Sequence, residues 1–268
     1  MEILRTGQFY GQTNETKTFG NLTLTDTEYT KEKVDWHYHE NAYFTFLLDG
    51  KILEGNKKEV YHFTPGSLLF HHWQESHYNI KPKGYTRGFH IEFQPEWFLE
   101  LDLDISNLQG SINLRHPDLK ALMYNIFISS KQDTAESALA VDSLLVELFT
   151  KAAKKETDRT GKTPMWVSKI RDILHDDPAQ SWTLLALAKA LDIHPVHLSR
   201  DFQKYFGCNI GVYIRTIRLQ KSLSMMIGKG NSLTDIALYC GFADQSHFIR
   251  SFKSTYQITP QVYRKLIR

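Results

Sequence analysis

Two groups of side chains in this 268-residue chain have types and spacings fit for chemistry. The first is rich in histidine: Trp36-His37-Tyr38-His39, then His71-His72 and His77 beyond Pro65-Gly66. His-x-His on one strand sets both imidazoles on the same face, because side chains alternate with period two. A third imidazole from a neighbouring strand would complete three protein ligands with an open position, the usual set for a catalytic transition ion. The second group comprises Val196, Ser199, Arg200, Gln203 and Lys204, then Gln245, Ser246, Ile249, Arg250 and Lys253. Arg can fork onto guanine O6 and N7, Gln can pair with adenine, and Val or Ile can meet a thymine methyl. Lys at the flank suits phosphates.

The charge distribution separates the two groups. The net charge of +2 is the sum of unlike halves: residues 1–163 hold 18 Lys/Arg against 23 Asp/Glu, and residues 164–268 hold 14 Lys/Arg against 7 Asp and no Glu. A segment of +7 attached to one of −5 points to a polyanion partner for the C-terminal part, or to a solvated basic surface. With 41% hydrophobic and 23% charged residues, disorder, collagen and a coiled-coil rod are excluded. Cys208 and Cys240 lack any paired spacing, so no disulfide framework is expected. No basic stretch with an apolar run opens the chain, and no segment nears the ~20 apolar residues that span a bilayer. A cytoplasmic protein with no membrane contact is expected.

The elements that must position these groups differ in kind. Up to about residue 100, short aromatic-rich runs alternate with turn signals: Tyr43 to Leu48 before Asp49-Gly50, Val60 to Phe63 before Pro65-Gly66, Leu68 to Phe70, and Phe89 to Phe93 before Pro95. These read as antiparallel strands of a closed sheet or small sandwich. From Pro117 the period becomes helical, through Leu119, Leu122, Met123, Ile126 and Phe127, then Leu144, Leu145, Leu148 and Phe149. Two amphipathic helices follow, either covering the sheet or forming a dimer seam. Residues 154–164 contain no apolar side chain and read as an exposed linker. The expected organisation is a strand-rich domain with two helices over 1–155, a linker over 156–163, and an all-α domain over 164–268.

The all-α part repeats itself. Ala188, Leu198, Arg200 and Phe202 recur as Ala237, Phe248, Arg250 and Phe252, offset by 49 before the turn and by 50 after it. Each copy reads as a helix with a small residue, a short turn (Asp192-Ile193-His194 and Cys240-Gly241-Phe242), and a second helix with apolar positions at i, i+4. A recognition helix must bury one face on its partner and turn the other to the ~12 Å major groove. Leu198 with Phe202, and Phe248 with Phe252, form the buried stripes, which leaves the ten residues named above outward. Gly211 to Ile227 reads as one connecting helix, roughly 25 Å long at 1.5 Å per residue. That length sets the outward helices near one duplex turn, about 34 Å, apart. A helical docking or dimerisation module is the alternative.

These motifs carry a family resemblance. Ile236-Ala237-x-x-x-Gly241-Phe242, Phe248-x-x-x-Phe252-Lys253 and Thr259-Pro260-x-x-Tyr263-Arg264, preceded by Leu198-Ser199-Arg200-x-Phe202-x-Lys204-x-Phe206-Gly207 and Arg218-Leu219, resemble the DNA-binding domain of AraC/XylS-type bacterial transcription regulators. The resemblance implies double-stranded DNA as partner, the outward residues turned to bases, homodimers, activation of transcription and contact with RNA polymerase. Departures stand at Gln257 in place of the usual Gly, Ser222 in place of Ala, and His194-Pro195 in place of Ser.

The N-terminal pattern of His-x-His, Gly50, Pro-Gly and a later His resembles the cupin barrel, which such regulators often carry as the effector-binding half. The implied fold is therefore α+β and multidomain, a cupin-like antiparallel β-barrel with two covering helices followed by two helix-turn-helix units. Metal-binding cupins place a Glu four or five positions after the His pair, where this chain has Tyr43 and Phe44. The histidines are thus expected to line the barrel, with no metal or other cofactor assigned. His37, His39, Tyr43, Phe46 and His77 are the expected effector pocket, open to a small molecule or filled by its own rings. A metal-dependent cupin enzyme fused to a helical module is the competing expectation. No triad spacing, phosphate loop or Cys nucleophile supports another enzyme class.

Overall fold

The run Ala42–Asp49 shows how the N-terminal half is built. It is almost wholly buried, so it has neighbours on both faces and reads as a continuous apolar stretch instead of an alternating one. The computed structural model describes residues 2–106, 108–132, 134–157, 164–227 and 230–267. Ten strands come first: β1 (Glu2–Leu4), β2 (Gln12–Phe19), β3 (Leu22–Glu28), β4 (Lys33–His39), β5 (Ala42–Asp49), β6 (Ile52–Asn56), β7 (Val60–Phe63), β8 (Leu68–His71), β9 (His77–Ile80) and β10 (Arg87–Phe93). A short helix α1 (Pro95–Glu100), β11 (Ser111–Asn113) and two longer helices, α2 (Pro117–Lys131) and α3 (Ser137–Thr157), complete this half.

The strands form two sheets, ordered β1-β4-β9-β6-β7 and β11-β8-β5-β10-β3-β2. Among the described residues no ladder joins them, so of the closed sheet and the small sandwich that the strand spacing allowed, the architecture is the sandwich, cupin-like but not closed into the barrel that the resemblance implied. β1 pairs parallel with β4, the exception in an otherwise antiparallel set. Contacts between the inner faces, such as Tyr43 on β5 with His77 on β9, show that the sheets face one another.

The outer face of the six-stranded sheet is covered by the helices. Phe149 of α3 packs on Phe44, Phe70 and Phe93, Phe127 of α2 on Phe89, and Tyr124 edge-on to Phe46. An ionic clasp adds to this contact. The buried Asp26 accepts two bonds from Arg87, at 2.8 and 2.7 Å, and one from Lys131 of α2 at 2.6 Å. Those cations outweigh the cost of burial and hold the Asp26 carboxyl below its ordinary range.

The C-terminal half is helical: α4 (Met165–Asp176), α5 (Leu184–Leu191), α6 (Pro195–Phe206), α7 (Ile210–Ile227), α8 (Leu233–Tyr239), α9 (Gln245–Tyr256) and α10 (Pro260–Leu266). Leu187, Ala188, Leu198, Phe202 and Phe206 form one core with Val167 and Ile170 of α4 and Tyr213 and Ile217 of α7. Phe242, Phe248, Phe252, Tyr256 and Tyr263 form the matching cluster around α9. The helix α7 contacts both α6 and α9, so it is shared between the repeats. Chain contacts divide the molecule into Met1–Arg115 with Leu122–Thr157, and His116–Ala121 with Asp158–Arg268. The helix α3 runs two residues into the stretch expected as a linker, and residues 158–163 of that stretch lie outside the described residues.

Candidate functional site

Caps fix where the outward helices begin. Asp244 opens α9, with its Oδ1 accepting from His247 N at 2.7 Å, and Ser232 opens α8 by accepting from Asp235 N at 3.1 Å. Thr183 does the same for α5 through Ala186 N. At α6 the cap is His194, whose Nδ1 accepts from Val196 N at 3.3 Å, with Pro195 pre-set for the first helical position. The unusual His194-Pro195 pair therefore still starts a helix.

Leu198, Phe202 and Phe206 are buried under α6, and Phe248, Phe252 and Tyr256 under α9. Val196, Ser199, Arg200, Gln203 and Lys204 are exposed, as are Ser246, Arg250 and Lys253. Gln245 and Ile249 are half-buried. The Gln245 Oε1 accepts from Thr234 on α8 at 2.6 Å, which ties one of its two lone pairs and holds the side chain toward α8. Arg200 is also engaged: its Nε donates to Asp201 at 2.9 Å and its Nη2 lies 3.1 Å from His197 Nδ1. Arg218 of α7, part of the sequence motif, donates instead to the carbonyls of Pro178 and Gln180 at 2.7 and 3.1 Å, so it buttresses the α4–α5 loop.

The inner faces of the sandwich gather the second group. A bulge between Val34 and His37 shifts β4 against β9, after which His37 stands opposite His77, with His39 two residues along on the same face. Nitrogens of His37, His39 and His77 lie within 4.8 Å of one another, and all three residues are buried. Facing them are Tyr43, whose hydroxyl is 3.1 Å from His77 Nε2, and His71, stacked on Tyr43 at 4.3 Å between ring centroids.

Burial dominates the electrostatics. It pushes His77 and His90 down to about 3 and His39 and His71 well below the ordinary imidazole range. It also raises Glu54 to about 8 and Glu92 to about 7. Glu54 and His71 approach to 3.3 Å, and burial works against charge on both of them. The N-terminal segment closes over this interior: Phe9 stacks on His90 at 3.7 Å and Tyr10 stands edge-on to His37 at 4.9 Å.

Of the five residues expected in the pocket, His37, His39, Tyr43 and His77 come together and Phe46 does not. Three positions from Tyr43, Phe46 falls on the opposite face and packs on Tyr124. His90, Glu92 and Glu54 were not singled out from the sequence. The alternation Phe89-His90-Ile91-Glu92-Phe93 carries the signal, with two polar residues on one face between apolar ones.

The arrangement matches two known family models, the AraC-like ligand binding domain over residues 19–149 and a helix-turn-helix domain over residues 187–266. The chain belongs to the AraC-type family of transcription regulators. This AraC-type chain is 26% identical over 165 residues to the HTH-type transcriptional regulator MtrA of Neisseria gonorrhoeae, covering 58% of this chain and 54% of that one. It thus spans about half the length of that relative. To the Msm operon regulatory protein of Streptococcus mutans it is 26% identical over 275 residues, 92% of this chain and 95% of the other. A crystal structure of apo ToxT from Vibrio cholerae aligns with a TM-score of 0.44 at 16% identity, over 95% of this chain and 100% of that one.

Proposed function

We propose that the chain is a sequence-specific, DNA-binding transcription regulator in which α6 and α9 read successive major grooves. One observation carries the reading: two capped helices at matching places in the repeat each bury a Phe-bearing apolar stripe and leave an Arg-bearing face in solvent. The scaffold supports it, since α7, 18 residues or about 27 Å long, is shared by both units. Val196, Ser199, Arg200 and Gln203 of α6 and Gln245, Ser246, Ile249 and Arg250 of α9 are the base-reading set, with Lys204 and Lys253 on phosphates. The N-terminal sandwich receives a signal and shifts the chain between two arrangements with different affinity for DNA. His37, His39, Tyr43 and His77 are the interior groups available to that signal.

A homodimer in the cytoplasm that contacts RNA polymerase completes the proposal; among the described residues no helix is long and apolar enough to cross a membrane. Binding is favoured over turnover because the relatives are named as regulators and Phe9 and Tyr10 pack over the interior histidines.

The test is selection of duplexes from a random pool by the purified chain, followed by affinity measurement. Replacing Arg250 with Ala is expected to weaken the preferred site roughly 5- to 150-fold and relax base preference at one position. A loss spread equally over all sequences would make Arg250 a phosphate contact and remove the base-reading assignment.

A further inference from the structure

The interior histidines are prepared in a way that lining residues need not be. The Nδ1 of His37 lies 2.9 Å from the carbonyl of Asp35, and the Nδ1 of His77 lies 3.0 Å from the carbonyl of Glu75. A carbonyl only accepts, so both rings donate through Nδ1 and carry their lone pair on Nε2. Imidazoles that ligate metals nearly always give their other ring N–H to such a partner, which fixes the tautomer.

His39 adds a second, separate observation. It is 3% exposed, and its Nδ1 is buried with no hydrogen-bond partner among the described residues. A buried polar atom left so is costly and calls for an explanation such as an ion. Its ring lies against those of His37 and His77, at 5.7 and 5.8 Å between centroids.

We infer that the sandwich binds one divalent transition-metal ion, of the Zn²⁺ or Co²⁺ class, through ring nitrogens of His37, His39 and His77. Three neutral nitrogens suit that class and do not suit Mg²⁺ or Ca²⁺, which require oxygen donors. An oxygen beside the cluster is the Tyr43 hydroxyl, 3.1 Å from His77 Nε2. Closing around an ion requires that hydroxyl to give up its bond to His77 and the three nitrogens to draw together from their present separations of up to 4.8 Å. The inference stands whether or not α6 and α9 read DNA.

The experiment uses the full chain, purified without chelator, stripped, and titrated with Co²⁺ and Zn²⁺. The expected result is one ion per chain by elemental analysis, with strong visible Co²⁺ bands of a four- or five-coordinate site. Zn²⁺ should also shift the imidazole ¹⁵N resonances of three histidines in the unaltered chain, a readout that needs no variant. His39→Gln and His77→Gln should each weaken binding by roughly 100-fold or more, while His72→Gln, outside the cluster, should leave it unchanged. Absence of stoichiometric binding, or an ion held equally well by His39→Gln and His77→Gln chains of native circular dichroism, overturns the assignment.

Discussion

In the first helix-turn-helix unit the chain turns out of α5 through Asp192 at φ 54° and leaves α6 through Gly207 at φ 71°. In the second it leaves α8 through Gly241 at φ 85° and α9 through Gln257 at φ 60°. Both units need a left-handed residue at both places, and they put glycine at opposite ones. At Gly241 the surroundings decide. A Cβ on Gly241 would sit 2.7 Å from the Cα and the carbonyl oxygen of Ala179, and both are backbone atoms that cannot swing aside. Only the strain of the dihedral weighs on Gln257, which is exposed, and Asp is among the residues that tolerate this conformation best. Glycine is obligatory where the backbone is crowded and optional where it is merely left-handed.

Gly241→Ala is therefore the largest break, about 3 kcal/mol from dihedral strain and overpacking together. Chemical denaturation of the wild-type and variant chains measures it. If the loss stays below about 1 kcal/mol, the Ala179 contact relaxes and the asymmetry between the turns has no packing cause.

The caps give the next contrast. Asp244 makes a short charge-assisted cap at 2.7 Å, and His194 a longer one at 3.3 Å with a neutral ring nitrogen. Removing Asp244 to Ala should cost about 1 kcal/mol, and removing His194 only a few tenths. The same denaturation series reports both, and equal losses would mean that Pro195 contributes nothing to starting α6. In the opposite direction, Gln257→Gly should stabilise the chain by about 1 kcal/mol through relief of the left-handed backbone. A loss of stability would show that the Gln257 side chain, which donates to Ser254 O at 3.1 Å, outweighs its strain.

The repeat was legible because its signals are local. Apolar residues at i and i+4, caps and an offset near 50 are all written within a dozen residues of the structure they specify. In the sandwich, β5, β7, β8 and β10 were legible as apolar runs, whereas β2, with Gln12-Thr13-Asn14-Glu15-Thr16-Lys17, is a polar edge strand with no such run. Phe46 was misplaced although parity alone sets it opposite Tyr43, because β5 is apolar on both faces and hides its own alternation. Whether the sheets close is a matter of long-range pairing, which no local pattern encodes. The engagement of Gln245 by Thr234 and of Arg200 by Asp201 depends on rotamers and was not readable at all.

That last engagement separates the two outward arginines, since Arg200 must leave Asp201 before it can fork onto a base and Arg250 carries no acidic neighbour in sequence. Arg200→Ala should consequently weaken DNA binding less than Arg250→Ala. Neutralising the tether sharpens the point: Asp201→Asn is expected to tighten the preferred site by roughly two- to fivefold, the range of an exposed ion pair. The gain should require Arg200. In a double-mutant cycle measured at fixed salt, Asp201→Asn in the Arg200→Ala background should then do almost nothing. If it tightens binding equally in both backgrounds, Asp201 acts by repelling phosphates, and the pair is incidental to reading.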